Sequence, residues 1–426
     1  MSAALQPDGY FLSATNPTCN VDQIECERLA LEVLRLPLVA RAKERMAMRW
    51  RRLVGREAPE EAWSRFDELV SEWAFHYAIK AVNADANYPK VVGHLFGPPH
   101  RWRGMDVPGT RASGGDNPDS NQLIIPVDAY ARFELHGRRL DRALADVPMQ
   151  LCGDTVLATT LTNLAWDDVQ FEDDDSFVIT LDPQPANGRR NHIQTKPDAR
   201  YLFIRDCRSD WRQTPNAYRI HRLDRPVAAP LSLEQIGERA ARYMFEDVPM
   251  MYSVVRAAAM NEANVMAQPF NAGSIGGMPT QTVCLARLSV APDEAYVITT
   301  GPSTARYRNI VLQDFWMRTF DYWNNISTMN NAQAAVNADG TTTYVVAAQD
   351  PGVHNWLDTS GFRELLLVHR WQVPKQPETP WIKGELVKWK ELDRALPRDM
   401  KTVNAAERKQ QLAQRLEAFN QRYVDA

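Results

Sequence analysis

The chain has 426 residues, of which 44% are hydrophobic and 24% are charged, and its formal net charge is −4. This length favours two or three packed units over one small core, and the charge gives no reason to expect a nucleic-acid or anionic-membrane partner. No apolar run approaches the roughly 20 residues of a membrane-spanning helix, and the first residues carry neither a basic leader nor an apolar stretch. We therefore expect a cytoplasmic protein with no membrane or nucleic-acid partner.

Residues 22–83 carry apolar side chains at helical spacing. Pro37 divides this run, and a second helical stretch begins near Pro59, where acidic residues occupy the first turn that the helix dipole favours for them. A loop rich in proline and glycine follows over 88–122. Such a long loop is uncommon in a compact domain unless it is functional or disordered. The sequence thus predicts a helical N-terminal region over 1–100.

Two blocks of strand-like runs follow, and turn residues separate the runs within each block. The first block covers 101–226, with runs at Leu123–Val127, Tyr130–Leu135, Val156–Leu161, Phe177–Leu181 and Tyr201–Ile204. The second covers 271–375, with runs at Thr282–Val290, Tyr296–Thr300, Asn309–Phe315, Thr343–Ala348 and Leu365–Trp371. Between them, a capping box at Ser232 predicts a helix over 233–246 in a helical connector (227–270), with a second helix over 251–265. Asn404 and Glu407 form a second cap pair, which predicts a helical tail over 376–426.

This order of elements predicts an α+β protein built from antiparallel, jelly-roll-like β-sandwich units, with helices at the N-terminus, in the middle and at the C-terminus. The two blocks resemble each other, because Asn191 and a later run ending at Arg205 echo Asn355 and a later run ending at Arg370. Two explanations stay open. One is a duplicated unit, and the other is a chance likeness between strand–loop–strand segments.

The segment 350–361 is dense in polar and aromatic residues and directly precedes a strong strand signal. Loops at strand ends commonly hold ligands in β-rich domains. Here Asp358 would act as a base or an orienting group, Asn355 as a hydrogen-bond donor and Trp356 as a flat wall for a ring. The alternative is structural, since aspartate and threonine form turns and tryptophan fills the end of a sandwich.

Arginines and histidines extend this candidate site. Arg363 and Arg370 are suited to grip a carboxylate or a sulfate, or else to neutralise nearby aspartates. His354 and His192 adjoin the two matched asparagines, although no histidine belongs to a metal-binding motif. The predicted catalytic residues are Asp358, His354, Asn355 and Arg363. The predicted substrate-binding residues are Trp356, Arg370, Trp316, Trp371, His192, Asn191 and Arg205.

The tryptophans of the second block, together with neighbouring phenylalanine and methionine residues, favour an apolar cavity lined by aromatic rings. The alternative is an ordinary sandwich core. The glycine-rich segment 273–277 matches neither a nucleophile elbow nor a phosphate-binding loop, so we expect a linker there and no nucleotide site. Five scattered cysteines without a Cys-x-x-Cys pair indicate reduced, buried thiols.

Twelve residues near the end of the second block form one specific pattern: Asp350, Pro351, Gly352, Asn355, Trp356, Leu357, Asp358, Thr359, Gly361, Arg363, Arg370 and Trp371. On this pattern the chain resembles the bacterial domain-of-unknown-function family twelve-fourteen over roughly residues 114–371, where the segment Gly115–Asp119 also looks familiar. The resemblance implies a jelly-roll-like sandwich with added helices and a place in small-molecule catabolism, but no settled reaction. Phe362 stands where the family pattern has histidine, so any chemistry of that histidine would be lost or moved to His354 or His369.

These features predict an enzyme that converts a small, largely apolar metabolite (aromatic, terpenoid or steroid-like) in a β-sandwich cavity. Several chemistries stay open: oxidation with a histidine-bound metal or haem, acid–base isomerisation or lyase chemistry by Asp358 and His354, and hydrolysis of a sulfate or glycosidic ester. A non-catalytic module that binds carbohydrate or lipid is the alternative from another class. The partner is then a small-molecule ligand, and a homo-oligomer remains open because the terminal helices could pack between subunits.

Overall fold

The computed structural model describes residue 5 and residues 7–154, 158–275 and 277–423. Helices lie near both ends and in the middle, between two blocks of largely antiparallel strands, so the predicted α+β class is confirmed. The helices are α1 (Val21–Leu34), α2 (Pro37–Val54), α3 (Glu60–Trp63), α4 (Phe66–Val82), α5 (Leu233–Glu246), α6 (Val248–Ala259), α7 (Leu392–Ala395) and α8 (Ala405–Asn420).

The strands fall into two groups along the chain. Those before the connector helices are β1 (His100–Trp102), β2 (Met105–Val107), β3 (Ser120–Pro126), β4 (Phe133–Arg138), β5 (Met149–Cys152), β6 (Thr160–Leu164), β7 (Ser176–Asp182), β8 (His192–Gln194), β9 (Tyr201–Cys207) and β10 (Ala217–Arg222). Those after them are β11 (Phe270–Asn271), β12 (Gln281–Ser289), β13 (Glu294–Thr300), β14 (Ala305–Gln313), β15 (Thr328–Asn330), β16 (Thr342–Ala347), β17 (Trp356–Asp358), β18 (Glu364–Pro374) and β19 (Ile382–Lys388).

Two units of eight strands share one topology. In the first unit the sheets have the orders β3-β9-β5-β6 and β10-β4-β7-β8, and in the second they have the orders β12-β18-β14-β15 and β19-β13-β16-β17, with β11 added beside β12. Taken in chain order, each strand of the first unit has a counterpart with the same neighbours in the second. The pairings also agree in direction, since all are antiparallel except β7 with β8 and β16 with β17.

The core of each unit lies between its two sheets. Along β9, Leu202 and Ile204 point into this core, so the alternating side chains Tyr201, Phe203 and Arg205 lie on the opposite face of the sheet. Burying a leucine or isoleucine stabilises the fold by roughly 1.5–3 kcal/mol, which holds the register of β9 in place. The outward face of β9 is thereby fixed as well.

The helices α1, α2, α4, α5 and α6 share one core, in which α4 is buried along nearly its whole length. Trp50 and Trp73 stack with their ring centroids 4.2 Å apart. Trp316, from the loop after β14, meets both rings edge-on at 5.9 Å and donates a 2.9 Å hydrogen bond to the carbonyl of Ala62. The second unit is therefore joined to the helices through one aromatic cluster.

Local signals located several helix boundaries correctly. Ser232 and Asn404 begin α5 and α8 through capping boxes, and Pro37 is the first residue of α2. The second connector helix begins earlier than predicted, at Val248, because Pro249 fits a first helical turn instead of interrupting the helix.

Other segments also differ from the sequence-based expectation. The run predicted over Tyr130–Leu135 corresponds to β4, which begins three residues later, at Phe133. The run Val156–Leu161 falls partly on residues 155–157, which lie outside the described residues, and β6 begins at Thr160. The tail contains a strand, β19, which pairs with β13 and is mostly exposed, so its sequence carries little apolar alternation. The glycine-rich segment that was predicted to be a linker includes a short 3-10 helix, Ala272–Ile275, while residue 276 lies outside the described residues.

All five cysteines are buried, as the sequence predicted. Among the described residues, no helix combines the length and the apolar character that crossing a bilayer requires.

Candidate functional site

Asn355, which the sequence placed in a catalytic corner, clamps the polypeptide backbone. Its Oδ1 accepts a hydrogen bond from the backbone N of Ala335 (2.8 Å), and its Nδ2 donates to the carbonyls of Ala335 (2.7 Å) and Thr343 (2.8 Å). Asn191 does the same in the first unit, where it accepts from the N of Gln170 (2.8 Å) and donates to the carbonyl of Gln170 (2.7 Å). Both asparagines therefore hold a loop against the sheet at equivalent places.

The neighbours of Asn355 are also bound to backbone groups. Trp356 donates from Nε1 to the carbonyl of Ala347 (2.9 Å), and Asp358 accepts at Oδ1 from the N of Ser360 (2.8 Å). Burial raises the pKa of Asp358 above its usual value. These contacts fit the structural alternative from the sequence analysis, in which these residues form turns and fill the end of the sandwich.

The predicted histidines and Arg363 lie apart from one another. A ring nitrogen of His354 hydrogen-bonds to the carbonyl of Gln333 at 3.0 Å, and His354 lines a cavity of about 450 Å³ under α8. His192 is held between the hydroxyl of Thr180 and the carbonyl of Gln184, both at 2.8 Å. Arg363 is exposed near α3. The structure does not bring these side chains together.

The tryptophans predicted to line a cavity lie in hydrophobic cores. Trp316 is completely buried in the helical cluster, and Trp371 is buried in the second unit, where it stacks on His369 with ring centroids 3.9 Å apart. Because both rings are covered on all sides, neither forms the wall of an open cavity.

Arg205 and Arg370 meet at a different place, a cavity of about 360 Å³ between the first unit, the helices and the second unit. We call it the central cavity. One wall is the outward face of β3 and β9, formed by alternating residues: Ser120, Gln122, Ile124, Pro126, Tyr201, Phe203, Arg205 and Cys207. Strand geometry requires this arrangement, because the residues between them fill the core of the first unit.

Helices form the opposite wall. On α4 and its C-cap the lining residues are His76, Tyr77, Lys80 and Asn83; on α5, at the junction with α6 and on α6 they are Tyr243, Asp247 and Met251. These spacings of about four residues place each set along one helix face. The second unit contributes Gln281 and Arg370. Three layers of the fold thus enclose one space.

The cavity wall is strongly cationic. Lys80, Arg200, Arg205 and Arg370 line it, whereas Asp247 is the one carboxylate among the described lining residues. Asp247 and Lys80 form a buried ion pair, with Nζ 2.5 Å from Oδ2. Burial lowers the pKa of Lys80 from its usual value, while the charge of Asp247 acts in the opposite direction. The pairing leaves the three arginines uncompensated within the wall.

Arg205 and Arg370 make no ion pair with a carboxylate of the described chain. Nη1 of Arg205 is buried without a hydrogen-bond partner, and its guanidinium lies 3.6 Å from the ring centroid of Phe203. Arg370 donates from Nη2 to the carbonyl of Gly115 at 2.9 Å. That carbonyl is placed by Gly114 and Gly115, whose φ angles of +97° and +77° suit glycine best.

Other polar atoms of the wall also lack partners. Asn83 Oδ1, His94 Nδ1 and Gln122 Oε1 are buried without a hydrogen bond, like Arg205 Nη1. A buried polar group left unpaired costs about 1–3 kcal/mol, and such groups in a folded protein call for a specific explanation. Four of them around a single cavity indicate a place where a ligand or water completes the hydrogen bonding.

Two histidines, His76 and His94, lie in the wall. Burial lowers the pKa of His76 to about 3 and that of His94 well below its usual value, so both rings are neutral near pH 7. A ring nitrogen of His76 hydrogen-bonds to the backbone carbonyl of His94 at 3.1 Å. Among the described residues, no three histidine, cysteine or acidic side chains form a metal-ligand cluster.

Sequence reasoning anticipated two residues of this cavity, Arg205 and Arg370, and missed those on α4. A signal was present, because Glu72, His76 and Lys80 follow one another at intervals of four residues within a helix that is otherwise largely apolar. Ionisable groups along one face of a buried helix must meet partners or a cavity. Here Glu72 binds Arg111 at 2.6 Å, and the other two residues reach the central cavity.

Solved structures provide one informative comparison. The chain is similar to an uncharacterized protein from Burkholderia cenocepacia, with a TM-score of 0.69 and 25% sequence identity over 86% of this chain and 100% of that one. It also aligns with the VPA0106 protein from Vibrio parahaemolyticus over 76% of this chain and 98% of that one, but a TM-score of 0.41 and 11% identity support no further argument. No protein-family model and no curated protein matches the chain. The comparisons therefore show a shared fold and carry no information about activity.

Proposed function

We propose that the chain binds a small organic anion in the central cavity. The observation that carries this proposal is the convergence of Arg205 and Arg370, from equivalent strands of the two units, on one cavity without a carboxylate partner. A carboxylate or sulfate group would accept charge-assisted hydrogen bonds from these guanidiniums, which are about twice as strong as neutral ones. It would also remove the cost of leaving Nη1 of Arg205 unpaired.

The rest of the wall suits an apolar body attached to the anionic group. Tyr77, Tyr201, Phe203, Tyr243 and Met251 line the cavity, and aromatic rings with a polar end are common in ligand pockets. The volume of about 360 Å³ lies at the lower end of the range of about 300–1,000 Å³ typical of such pockets. The ligand is accordingly a small metabolite with a ring or a short branched body.

Acid–base turnover of this ligand is the second candidate function. It is favoured by Lys80, whose pKa is lowered by burial, and by the neutral His94 with its unpartnered Nδ1, since both line the same cavity. Perturbed titratable groups facing a ligand cavity are typical of general acids and bases. The isomerase or lyase chemistry that the sequence assigned to Asp358 and His354 would then be carried out by Lys80 and His94 in the central cavity. Oxidative conversion with a histidine-bound metal or haem remains a prediction of the sequence alone.

Binding measurements with charged and neutral ligands of equal shape test the proposal. Isothermal titration of a panel of aromatic carboxylates and aryl sulfates against the corresponding amides should favour the anions. Arg205→Gln should weaken the binding of the best anion by about tenfold or more, since a hydrogen bond to a charged group is worth about 1.5–3 kcal/mol. Arg363→Gln, which removes an exposed arginine that does not line the central cavity, is the control and should leave the affinity unchanged.

Equal affinity for acids and amides, or an unchanged dissociation constant in Arg205→Gln, would contradict an anion site. If binding is confirmed but no panel compound is converted, the turnover proposal fails and the binding proposal stands.

We also propose that the second unit arose as a copy of the first and that each unit is a jelly-roll-like sandwich. Three features support duplication: the common strand order, the asparagine clamps at Asn191 and Asn355, and the paired arginines on β9 and β18. Membership of family twelve-fourteen, a bacterial catabolic role, a cytoplasmic location and self-association remain predictions of the sequence.

A further inference from the structure

A second group of arginines lies under the C-terminal helix. It consists of Arg208, from the loop after β9, and of Arg415 and Arg422, at the end of α8 and just beyond it. Arg208 and Arg415 are only 4% and 6% exposed. Both Arg415 and Arg422 lie over the ring of Trp211, with guanidinium carbons 4.3 Å and 4.5 Å from the ring centroid. We call this set the arginine cluster.

The cluster binds carbonyl oxygens and forms no ion pair with the described carboxylates. Arg208 donates from Nε to the carbonyl of Asp119 at 3.4 Å, Arg415 donates to the carbonyl of Tyr322, and Arg422 donates from Nη1 to the carbonyl of Pro118 at 2.6 Å. Nη2 of Arg415 and both Nε and Nη2 of Arg422 are buried without hydrogen-bond partners. Arg415 and Arg422 therefore retain unused donors.

The nearest carboxylate is already engaged by neutral donors. Asp119 accepts hydrogen bonds from Trp211 (2.5 Å), Asn309 (2.8 Å), Asn330 (2.9 Å) and Tyr307 (3.0 Å). Its two oxygens thus have no free position for a guanidinium. The negative charge of Asp119 therefore reduces the repulsion between the guanidiniums without forming an ion pair with any of them. Burial, with a contribution from Arg422, lowers the pKa of both Arg208 and Arg415 to about 9.

A cavity of about 510 Å³ opens beside the cluster. Arg208, Arg422, Trp211 and the exposed Arg212 line it together with hydroxyl and amide groups from the N-terminal segment, and its described wall contains no aspartate or glutamate. Arg212 is already paired with Asp210 at 2.5 Å. The unmatched positive charge of this wall therefore belongs to Arg208 and Arg422.

We propose that the arginine cluster binds the phosphoryl group of a small phosphorylated molecule, at a site separate from the central cavity. A tetrahedral oxyanion presents several acceptor oxygens, and arginine binds phosphate through paired N–H donors. The unpartnered donors of Arg422 would gain acceptors, and the repulsion between the guanidiniums of the cluster would be offset. Threonine hydroxyls at Thr15 and Thr214 lie in the same wall, where they would donate hydrogen bonds to the remaining oxygens.

Inorganic phosphate is the probe that tests this site. Titration calorimetry of the full chain, at an ionic strength held constant with sodium chloride, should show saturable phosphate binding. Arg422→Gln should weaken it by at least tenfold, and Arg422→Lys, which keeps the charge, should weaken it less. Arg28→Gln, which removes an exposed arginine of α1 that is paired with Glu32 and lines neither cavity, is the control and should change the affinity less than twofold.

The outcomes separate this site from the central cavity. Arg205→Gln should leave phosphate binding intact, and a loss of binding in that variant but not in Arg422→Gln would overturn the proposal. An absence of saturable binding, or equal binding in wild type and Arg422→Gln, would overturn it as well.

Discussion

Asp116 provides a test of how burial controls the charges around the central cavity. Its side chain is completely buried, Oδ2 accepts a hydrogen bond from the hydroxyl of Thr319, and Oδ1 has no partner. Burial raises the pKa of this carboxyl group to about 7, against the opposing effects of the Thr319 hydrogen bond and the charge of Arg111. Asp116→Asn removes the titration and keeps the shape and an acceptor for Thr319.

The sign and size of the effect follow from proton linkage. Between the ordinary aspartate pKa and about 7, the folded chain holds the proton more tightly than the unfolded chain. The free energy of unfolding that this group contributes is therefore present at low pH and is lost as the pH rises through 7. With a folded pKa of about 7, the difference between wild type and Asp116→Asn should fall by about 2.5 kcal/mol from pH 5 to pH 8.

Urea unfolding of both proteins at four pH values measures this difference directly. Thr319→Val is the matched second variant. It removes the hydrogen bond that holds the pKa of Asp116 down, so the loss of stability should move to higher pH. A difference between wild type and Asp116→Asn that stays constant from pH 5 to pH 8 would refute the reasoning, because it would mean that Asp116 carries the same charge in the folded and unfolded states.

Two further perturbations address the buried polar contacts. Asp247→Asn should lower the free energy of unfolding by about 3–5 kcal/mol, because it leaves Lys80 buried without its carboxylate. The double variant Lys80→Met/Asp247→Leu should recover most of this loss. A double variant no more stable than Asp247→Asn would contradict the argument. Asn355→Ala should lower the free energy of unfolding, measured by urea titration, by about 3 kcal/mol because buried backbone groups lose their partners. Asn191→Ala should lower it less, because water reaches its more exposed hydrogen bonds. Equal losses in the two variants would contradict this account.

Features with local causes could be predicted from the sequence. The first residue of the first connector helix was predicted correctly because its capping box is complete within four residues. By contrast, β8 and β17 contain three residues each and exist only because a parallel neighbour pairs with them. No pattern of three residues distinguishes such a strand from a loop, so these strands emerge only when the sheet is assembled.

The corner around Asn355 illustrates a second limit. Asparagine, tryptophan and aspartate at a strand end are equally suited to binding a ligand and to holding a loop, and the sequence left both alternatives open. The contact that distinguishes them is the pair of hydrogen bonds to Ala335, 20 residues earlier in the chain. The central cavity was hidden for the same reason, since its wall combines Lys80, Gln122, Arg205, Asp247 and Arg370 from widely separated elements.

The shared topology explains why two arginines reach one cavity. Arg205 and Arg370 occupy equivalent positions on the outward faces of β9 and β18, and the residues two positions further along, Cys207 and Gln372, lie in contact at 3.6 Å. The two units therefore face each other through corresponding sheets. A charged residue on the outward face of one sheet and its equivalent in the other unit thus both reach the interface. The helices α4 to α6 cover the adjoining face of the first unit. The two equivalent arginines therefore line a cavity whose remaining walls are not equivalent. The sheets would supply the charge that attracts an anion, and the helix side chains would then decide which anion fits.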